Sequence, residues 1–334
     1  MLDSASEVAR APTDKMSKQF KPLDLSKVKT YSIKTRKSKV NLRDFSHPYT
    51  PGSSFKQFWE GLPQILSAQN FREVVQALAK AKRGQKVIVV GMGAHPIKVG
   101  LNPLLIQLME AGVIDCLAMN GAGIIHDLEL ALAGKTSEEV EESIDGGAFG
   151  MVQETSVLLN DFIGEGVKKG WGMGEAIGKR LLSEDFPYRQ YSLLATCARL
   201  GIPATVHVAI GTDIIHMHPS ANGGAIGEGS LRDFQKLTAV VAQLQDGVYL
   251  NIGSAVILPE VFLKALTLAR NLGHDVQNFT TVNMDFIQHY RPTTNVVKRP
   301  TQQSGQGYTL IGHHEIMIPL LVAALLEELK SDKP

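Results

Sequence analysis

The sequence has few cysteines, no long apolar run and almost no net charge. Its two cysteines, Cys116 and Cys197, lie in apolar stretches, where an unpaired thiol behaves as a small buried hydrophobe, so no disulfide framework is expected. The longest apolar candidate, Ile316 to Leu326, is shorter than the ~20 residues that cross a bilayer. Thirty-four basic and thirty-three acidic side chains leave a net charge of +1, so no overall field attracts nucleic acid or an anionic membrane. We therefore expect a soluble protein without nucleic-acid or membrane partners.

Residues 1–40 differ in composition from the rest of the chain. They hold ten Lys or Arg against four Asp or Glu and few large apolar residues, which favours a flexible basic N-terminal arm. Asp3, Glu7 and Asp14 come early and no apolar core segment accompanies them, so a secretory signal is not expected and the cytoplasm is the predicted location. Because the chain is 44% apolar, residues 41–334 are predicted to form a single α/β domain around a buried core.

After Gly84, short β-branched runs alternate with longer helical patterns. This alternation is typical of βαβ units and predicts an α/β fold with a Rossmann-like, doubly wound, mostly parallel sheet flanked by helices. Several runs are apolar throughout, as strands covered on both faces are. The predicted strands are 87–90, 115–119, 204–210, 248–252 and 279–284. The predicted helices are 101–111, a pattern from 138 through 164, 231–244 and 257–272.

Glycine or polar side chains follow all five predicted strands. In an open doubly wound sheet, ligands bind beyond the carboxyl ends of the strands, where loop N–H groups and helix N-termini meet. Glycine lets the backbone approach a phosphate or a ring closely, so these turns predict a dinucleotide site. The turns are Gly91-Met92-Gly93-Ala94-His95, Asn120-Gly121-Ala122-Gly123, Gly211-Thr212-Asp213, Gly253-Ser254-Ala255 and Asp285 with Gln288-His289.

The glycine pattern departs from the common dinucleotide fingerprint. Gly91-Met92-Gly93 is followed by Ala94-His95-Pro96 and not by a third glycine. No acidic residue follows the second strand at the usual ribose position. If NAD binds, we expect a variant mode of binding.

His126 and Asp127 allow two interpretations. A carboxylate beside an imidazole in a cleft can hold a proton donor and acceptor near neutral pH. Alternatively, the pair caps a helix that begins near Leu128. Both interpretations remain open on the sequence.

The remaining histidines give only a weak indication of metal binding. His216 and His218 flank Met217, and His313 and His314 stand beside Glu315, but no matching Cys or His-x-x-x-His partner accompanies them. Hydrogen-bonded or solvent-facing loop histidines are the favoured interpretation, and no metal is predicted.

Four parts of the chain resemble, in order and spacing, the deoxyhypusine synthases, and the resemblance spans roughly residues 30–330. The similarity is strongest to a deoxyhypusine synthase-like branch of that family. The parts are Gly91 to Gly123, Gly211 to Asp213, Gly253 to Ala255 and Pro319 to Ala323. The branch motifs are Gly-Ala-His-x-Ile-Lys from Gly93, Asn-Gly-Ala-Gly-Ile-Ile-His-Asp from Asn120, His-Pro-Ser-Ala from His218 and Asn-Met-Asp-Phe-Ile-Gln-His-Tyr from Asn283.

The resemblance implies a homotetrameric, Rossmann-like enzyme that uses NAD to oxidise spermidine at a C–N bond. Its aminobutyl group would then move to a lysine, with a polyamine or other amine as small-molecule substrate and a lysine-bearing protein as acceptor. By position, Asp127, Asp285 and His289 are predicted to bind the substrate. The predicted cofactor-binding residues are Gly93, Ala94, His95, Lys98, Gly121, Ala122, Gly123, Thr212, Asp213, Gly253 and Ser254.

The resemblance weakens at the catalytic positions. Where the synthases carry His-His and a nearby Asn after the fourth glycine turn, this chain has Pro259, Glu260 and Leu263. Their catalytic lysine follows a tryptophan, whereas the nearest lysine here is Lys298, with no tryptophan before it. Lys298, Asp127 and His126 are the predicted catalytic residues. The alternatives are an NAD-dependent enzyme for another small amine or guanidine compound, and a non-catalytic nucleotide-binding tetramer.

Overall fold

The computed structural model describes residues 20–330 of the chain. The first half of the predicted arm, residues 1–19, lies outside the described residues. The chain divides into two units, with the boundary between Asn41 and Leu42. In the first unit, two 3-10 turns span Leu25–Lys27 and Ile33–Thr35. The sheet and its helices belong to the second unit.

Six strands form one sheet, and every neighbouring pair runs parallel. The strands are β1 Ile88–Met92, β2 Cys116–Asn120, β3 Ala204–His207, β4 Val248–Ile252, β5 Thr280–Asp285 and β6 Gln306–Ile311. Their spatial order is β3-β2-β1-β4-β5-β6. This is the order of a doubly wound dinucleotide-binding sheet, so the predicted fold class is confirmed.

Thirteen α-helical segments accompany the strands within the described residues. The first six are α1 Phe55–Glu60, α2 Leu66–Arg83, α3 His95–Lys98, α4 Asn102–Glu110, α5 Gly121–Ala133 and α6 Val140–Ser143. The next four are α7 Gln153–Lys168, α8 Met173–Ser183, α9 Leu193–Leu200 and α10 Gly223–Val241. The last are α11 Ile257–Asn271, the short α12 Tyr290–Pro292 with a π-helical turn at Thr293–Lys298, and α13 His314–Lys330.

Apolar side chains fill both faces of the sheet. Along β1, Val89 packs into one buried cluster with Tyr249 and Phe262, whereas Ile88 and Val90 pack into the other. Successive side chains of a strand point to opposite faces, so an uninterrupted apolar run is what a two-sided sheet requires. This burial explains why the central strands could be predicted from short apolar runs.

The structure differs from the sequence predictions mainly at element boundaries. The pattern from 138 through 164 is two helices, α6 and α7, because a glycine-rich loop separates them. Helix α10 begins at Gly223, eight residues before its predicted start, because the Asn222 side chain accepts a hydrogen bond from the Ala225 N–H at 3.0 Å. The sixth strand, β6, was not predicted. Its residues are mostly half-buried and include Gly307, so the apolar alternation there is weak.

Both cysteines are buried and unpaired, as expected. Burial raises the pKa of Cys116 to about 12, so its thiol stays protonated at neutral pH. Within the described residues, no helix is both long and apolar enough to pass through a bilayer.

Candidate functional site

The turns that follow β1 to β5 lie along one edge of the sheet, as the sequence predicts. The parallel register aligns Met92 with Met119 on one side and with Ile252 on the other, so the strands end at nearly the same height. Strands β1 and β4 are the central pair. The chain runs outward from β1 to β3 on one side, crosses back, and runs outward from β4 to β6 on the other side. In this sheet order, the crevice beyond that pair is where ligands bind.

Gly93 and Gly253 bring the turns after β1 and β4 into direct contact. The Gly93 N–H donates to the Ile252 carbonyl at 3.0 Å, and a Cβ on Gly93 would overlap the Gly253 carbonyl oxygen. Gly253 has a φ of +62°, a conformation that L side chains rarely adopt. Gly91 has a different function, because a Cβ there would overlap the hydroxyl of the fully buried Tyr249. It makes room for the core and not for a ligand.

Gly121 and Asp213 bring together the turns after β2 and β3. A Cβ on Gly121 would overlap the Asp213 carboxylate, so only glycine permits this approach. Helix α5 starts here because the Asn120 side chain accepts the Gly123 N–H at 3.0 Å. Ala122 lies in the same first turn. The carboxylate therefore lies over the N-terminus of α5.

Hydrogen bonds within its own loop hold the Asp213 carboxylate in place. The Thr212 hydroxyl shares its proton between the Ala209 carbonyl at 2.7 Å and Oδ2 of Asp213 at 3.1 Å. The N–H groups of Gly211 and Asp213 donate to Nδ1 of His216 at 3.2 and 3.4 Å. Asp213 is 8% exposed, and burial raises the pKa of its carboxyl group, while the Thr212 hydrogen bond and His216 oppose that rise. His216 thus works as a loop-ordering residue.

A pair of histidines lies under the contact between β1 and β4. Nδ1 of His95, at the start of α3, is 2.8 Å from Nδ1 of His314, at the start of α13. Nε2 of His314 is 3.0 Å from the Met284 carbonyl oxygen at the end of β5. The exposed Phe286 ring lies beside His95, with 5.9 Å between ring centroids. Burial is the main cause that lowers the pKa of His95, and the nearby His314 adds to it.

Ser254 begins the connection from β4 to α11. Its hydroxyl accepts the Leu258 N–H at 3.2 Å, and its carbonyl accepts from the buried Asn251 side chain at 2.9 Å. Helix α11 has 15 residues and begins at this edge, but in its first turn the Leu258 N–H is bonded to Ser254 and Pro259 has no N–H. Lys98, at the end of α3, is exposed.

Asp285 and His289 lie in and after the last residues of β5. Asp285 is 5% exposed, and its Oδ1 accepts the N–H of Phe286 at 2.8 Å. The His289 side chain is exposed, and its carbonyl accepts the Thr293 hydroxyl at 2.7 Å. Both residues lie at the predicted edge of the sheet.

Asp127 does not reach this edge, which corrects its predicted place in an open cleft. The side chain is fully buried within α5, and its carboxylate accepts the Ser192 hydroxyl at 2.6 Å and the N–H groups of Leu193 and Leu194 at 2.7 and 3.0 Å. These are the first groups of α9, so Asp127 caps the N-terminus of a neighbouring helix. Burial raises its pKa to about 6, although these hydrogen bonds oppose the rise.

His126 and Asp127 point to different sides of α5, because consecutive helical residues do not share a face. Nδ1 of His126 lies 2.6 Å from the Thr136 hydroxyl, which donates in turn to Glu129. Burial alone would raise the pKa of Glu129, but hydrogen bonds from His126 and Thr136 lower it overall. The predicted acid–base pair of His126 with Asp127 is therefore wrong, and so is the alternative cap for a helix starting near Leu128, since α5 starts at Gly121.

Lys298 lies toward the opposite edge of the sheet, which corrects its predicted position in the site. It ends the π-helical turn that returns from β5 to β6, and its side chain is exposed. A Cβ on Gly307 would overlap the carbonyl oxygen of the adjacent Val297, and Gly307 pairs with Thr281 near the start of β5. Thr281 precedes Asp285 by four residues, or about 13 Å of strand. Within one chain, Lys298 is thus remote from the turns.

Sequence reasoning missed the contact of His314 with His95. His313 and His314 were considered only as weak metal ligands because β6 had not been recognised. The run Thr309-Leu310-Ile311 before Gly312 is itself a short strand ending in glycine and polar residues, like the other five. Among the described residues, no group of three or more His, Cys, Asp or Glu side chains could hold a metal ion.

A cavity of about 710 Å³ lies elsewhere, between α8, α9 and α10 beside Ala204 at the start of β3. Asp233 lines it, but Oδ2 of this carboxylate accepts the N–H groups of Gly174 and Val206 at 2.9 and 2.8 Å. These bonds fix the start of α8 to the edge strand. The Asp233 carboxylate in this cavity therefore stabilises the fold. The edge of the sheet remains the candidate site.

Comparison with known proteins adds evidence on the fold. No protein-family model matches the chain, and no curated protein sequence matches it. A protein assigned to the LOR/SDH class from Methanococcus maripaludis S2 is 16% identical over 80% of this chain and 71% of its own, with a TM-score of 0.50. Unliganded AgrE is 16% identical over 79% of this chain, with a TM-score of 0.50. A protein named as a deoxyhypusine synthase from Entamoeba histolytica is 11% identical over 84% of this chain and 96% of its own, with a TM-score of 0.49.

The chain spans about a third of the longer proteins that it matches. It covers 34% of AgrE and 31% of ArgZ, an arginine dihydrolase from the ornithine-ammonia cycle in cyanobacteria. For the two proteins with a TM-score of 0.50, the similarity at 16% identity shows a shared fold and no more. The fold and the sheet edge together define a Rossmann-like protein with a candidate ligand site at the switch point.

Proposed function

We propose that this chain is an NAD-dependent enzyme that oxidises a small amine at a C–N bond, with a polyamine such as spermidine as the first substrate to test. The observation that carries the proposal is the convergence of polar turns at the switch point, where Gly93 meets Gly253 and Gly121 meets Asp213. The order of the sheet supports it, since sheets wound in this order bind dinucleotides at that point.

The residues at this edge fit NAD in two respects. The Asp213 carboxylate is fixed in place and accepts hydrogen bonds, which suits the hydroxyl groups of a ribose. That negative charge disfavours a phosphate at the N-terminus of α5. We place the pyrophosphate against the turns after β1 and β4, where Gly93 and Gly253 let the backbone approach a ligand closely, with the exposed Lys98 of α3 as the cation. This arrangement would be the variant mode that the incomplete glycine fingerprint predicts.

NAD, when bound, supplies the acceptor for the hydride that leaves the carbon beside the amine nitrogen. The protein must hold the amine in the crevice and remove its extra proton. Asp285 is the carboxylate placed to attract an ammonium group, and the exposed Phe286 offers an apolar surface for the substrate's methylene chain. His289 lies in the following exposed segment. More specifically, we propose that the oxidised amine then transfers an aminobutyl group to a lysine-bearing acceptor.

The test uses the purified full-length chain. Calorimetry measures NAD binding, and NADH absorbance follows turnover with spermidine, ornithine and a guanidine compound such as agmatine. Ornithine is included because AgrE was crystallised with ornithine and NAD+. Release of 1,3-diaminopropane from spermidine would identify aminobutyl transfer. Failure of the chain to bind NAD at millimolar concentration would contradict the proposal.

The Asp213→Asn variant tests the ribose contact. Loss of one charged hydrogen bond costs about 1.5–3 kcal/mol, so NAD affinity should fall about 10- to 100-fold. Asp275→Asn is the matched control, because Asp275 is exposed and follows the C-terminal end of α11, away from the crevice. Equal NAD affinity in both variants would remove Asp213 from the proposed site.

A non-catalytic nucleotide-binding protein is the second candidate function. It is favoured by the positions of Lys298 and Asp127, since two of the three predicted catalytic residues lie away from the crevice. Binding of NAD without NADH formation from any of the three amines would support it.

A further inference from the structure

We propose that Nε2 of His95 accepts the proton of the substrate's ammonium group, and that His314 is a positioning residue that fixes the protonation of His95. This proposal rests on the proposed function. Neither residue was predicted to be catalytic from the sequence. The geometry that points to it is a chain of hydrogen bonds from His95 through His314 to the backbone of β5.

The hydrogen-bond chain determines which nitrogen of each ring carries a proton. A carbonyl oxygen can only accept, so His314 donates Nε2–H to Met284 at 3.0 Å. Neutral His314 then has a lone pair on Nδ1, which can only accept. His95 must therefore donate Nδ1–H across the 2.8 Å contact. Its Nε2 is left with a lone pair, and no residue among those described is hydrogen-bonded to it.

The surrounding packing holds this arrangement at the switch point. His314 has no solvent exposure, and a Cβ on Gly253 would lie 2.7 Å from its Cε1 atom. The pair thus lies directly against the turn after β4, and His95 is half-buried. The Phe286 ring beside His95 limits access of water from the β5 side.

Burial, more than the neighbouring charges, lowers the pKa of His95 and favours its neutral imidazole. Burial and His314 lower its pKa most, and Lys98 on its own helix lowers it further. Glu315 on α13 and Asp285 on β5 raise it in part. Since the net shift is downward, His95 is a free base over a wider range of pH than an exposed histidine is.

The proton balance of the reaction needs one such base. A secondary ammonium group, CH–NH2+, gives one proton to Nε2 of His95 and becomes a neutral amine. The lone pair of this neutral amine favours loss of a hydride, with its electron pair, from the adjacent carbon. NAD, when bound, would accept that hydride, and the C–N bond would become a C=N iminium. His95, now protonated on both nitrogens, keeps its Nδ1–H bond to His314. Removal of a general base lowers turnover by about 10²- to 10⁴-fold.

The first test is a nitrogen NMR measurement on the ligand-free protein. We expect His95 to hold its proton on Nδ1 and His314 on Nε2. In His314→Phe, which keeps an aromatic ring but removes the acceptor, the His95 proton should move to Nε2. Finding the Nε2–H form of His95 in the wild-type protein would overturn the proposal.

The second test is kinetic. His95→Asn keeps a side-chain N–H near the position of Nδ1 but has no base, so kcat at saturating NAD should fall 10²- to 10⁴-fold. His274→Asn is the control, because His274 is an exposed histidine beyond the far end of α11. A kcat within threefold of wild type in His95→Asn would refute the role of His95 while leaving NAD-dependent turnover intact. If the wild-type protein binds no NAD, the proposed function fails instead, and if it binds NAD without turnover, the tautomer measurement alone decides.

Discussion

At the scale of single residues, the glycines of the strand ends are required by neighbouring protein atoms. Gly93 faces the carbonyl oxygen of Gly253, Gly121 faces the Asp213 carboxylate, and Gly91 faces the Tyr249 hydroxyl. The sequence could show that small residues stand at these positions. It could not show whether a ligand, a loop or the core required them, because that depends on which strands become neighbours.

Gly93→Ala should destabilise the protein by about 1–3 kcal/mol, because the obstructing atom belongs to the backbone and the turns must separate. Urea denaturation measures the free energy of unfolding. Gly146→Ala is the matched control, since no atom lies within 4 Å of a Cβ at that position. An unchanged midpoint for Gly93→Ala would show that the turns separate easily.

The buried carboxyl group of Asp233 should make the stability of the protein depend on pH. Burial raises the pKa of its carboxyl group to about 7, against 3.8 for an ordinary aspartate. The folded protein holds this proton more tightly than the unfolded chain does. The contribution of Asp233 to the free energy of unfolding is therefore greatest below pH 4 and is lost as the pH rises to about 7. The contribution is up to about 4 kcal/mol.

Asp233→Asn should remove this part of the pH dependence, because its amide oxygen can still accept the N–H groups of Gly174 and Val206. Melting temperatures of both proteins between pH 4 and 8 provide the measurement. Parallel profiles for wild type and variant would contradict the shifted pKa.

At the scale of elements, α9 depends on a residue from another helix. Asp127 of α5 satisfies the first N–H groups of α9 and the Ser192 hydroxyl. A motif that looks catalytic in the sequence, His126-Asp127, is thus divided between two helix faces. The two residues can be assigned to different faces only when the start of α5 at Gly121 is known.

Asp127→Asn should destabilise the protein by about 1–3 kcal/mol, since its amide NH2 group would face the N–H donor of either Leu193 or Leu194. NAD affinity should stay the same, because the carboxylate does not face the crevice. Thermal unfolding and calorimetry distinguish the two effects. Unchanged stability together with weakened NAD binding would show that Asp127 belongs to the binding site.

The π-helical turn between β5 and β6 places Lys298 at the wrong edge for chemistry in the crevice. Lys298→Ala should therefore retain at least half of the wild-type kcat with the best amine. A loss of a hundredfold or more would show that Lys298 reaches an active site after all, for example one on another subunit.

At the scale of the whole molecule, exposed apolar side chains lie at and after the ends of β5 and β6. They are Phe286, Ile287, Tyr290, Ile311 and Ile316. Contiguous exposed apolar surface is typical of an interface or a ligand groove. We expect a homotetramer, as the resemblance to deoxyhypusine synthases implies. Light scattering should give four times the mass of the chain, and a monomeric mass would contradict this.

The amino-acid sequence by itself determined the class of fold and the edge of the sheet where the glycine and polar turns lie. Five of six strands and the glycine turns follow from short apolar runs, because burial on both faces requires them and parallel strands end together. The weak alternation of β6 hid the sixth strand, and with it the position of His314.

Only the tertiary structure decided which polar residues work together. His95 and His314 are 219 residues apart and share a hydrogen bond, whereas the adjacent His126 and Asp127 point apart. The physical reason is that side-chain direction follows the local period of the helix or strand, while proximity follows the order of the strands. Neither can be read from spacing along the chain alone.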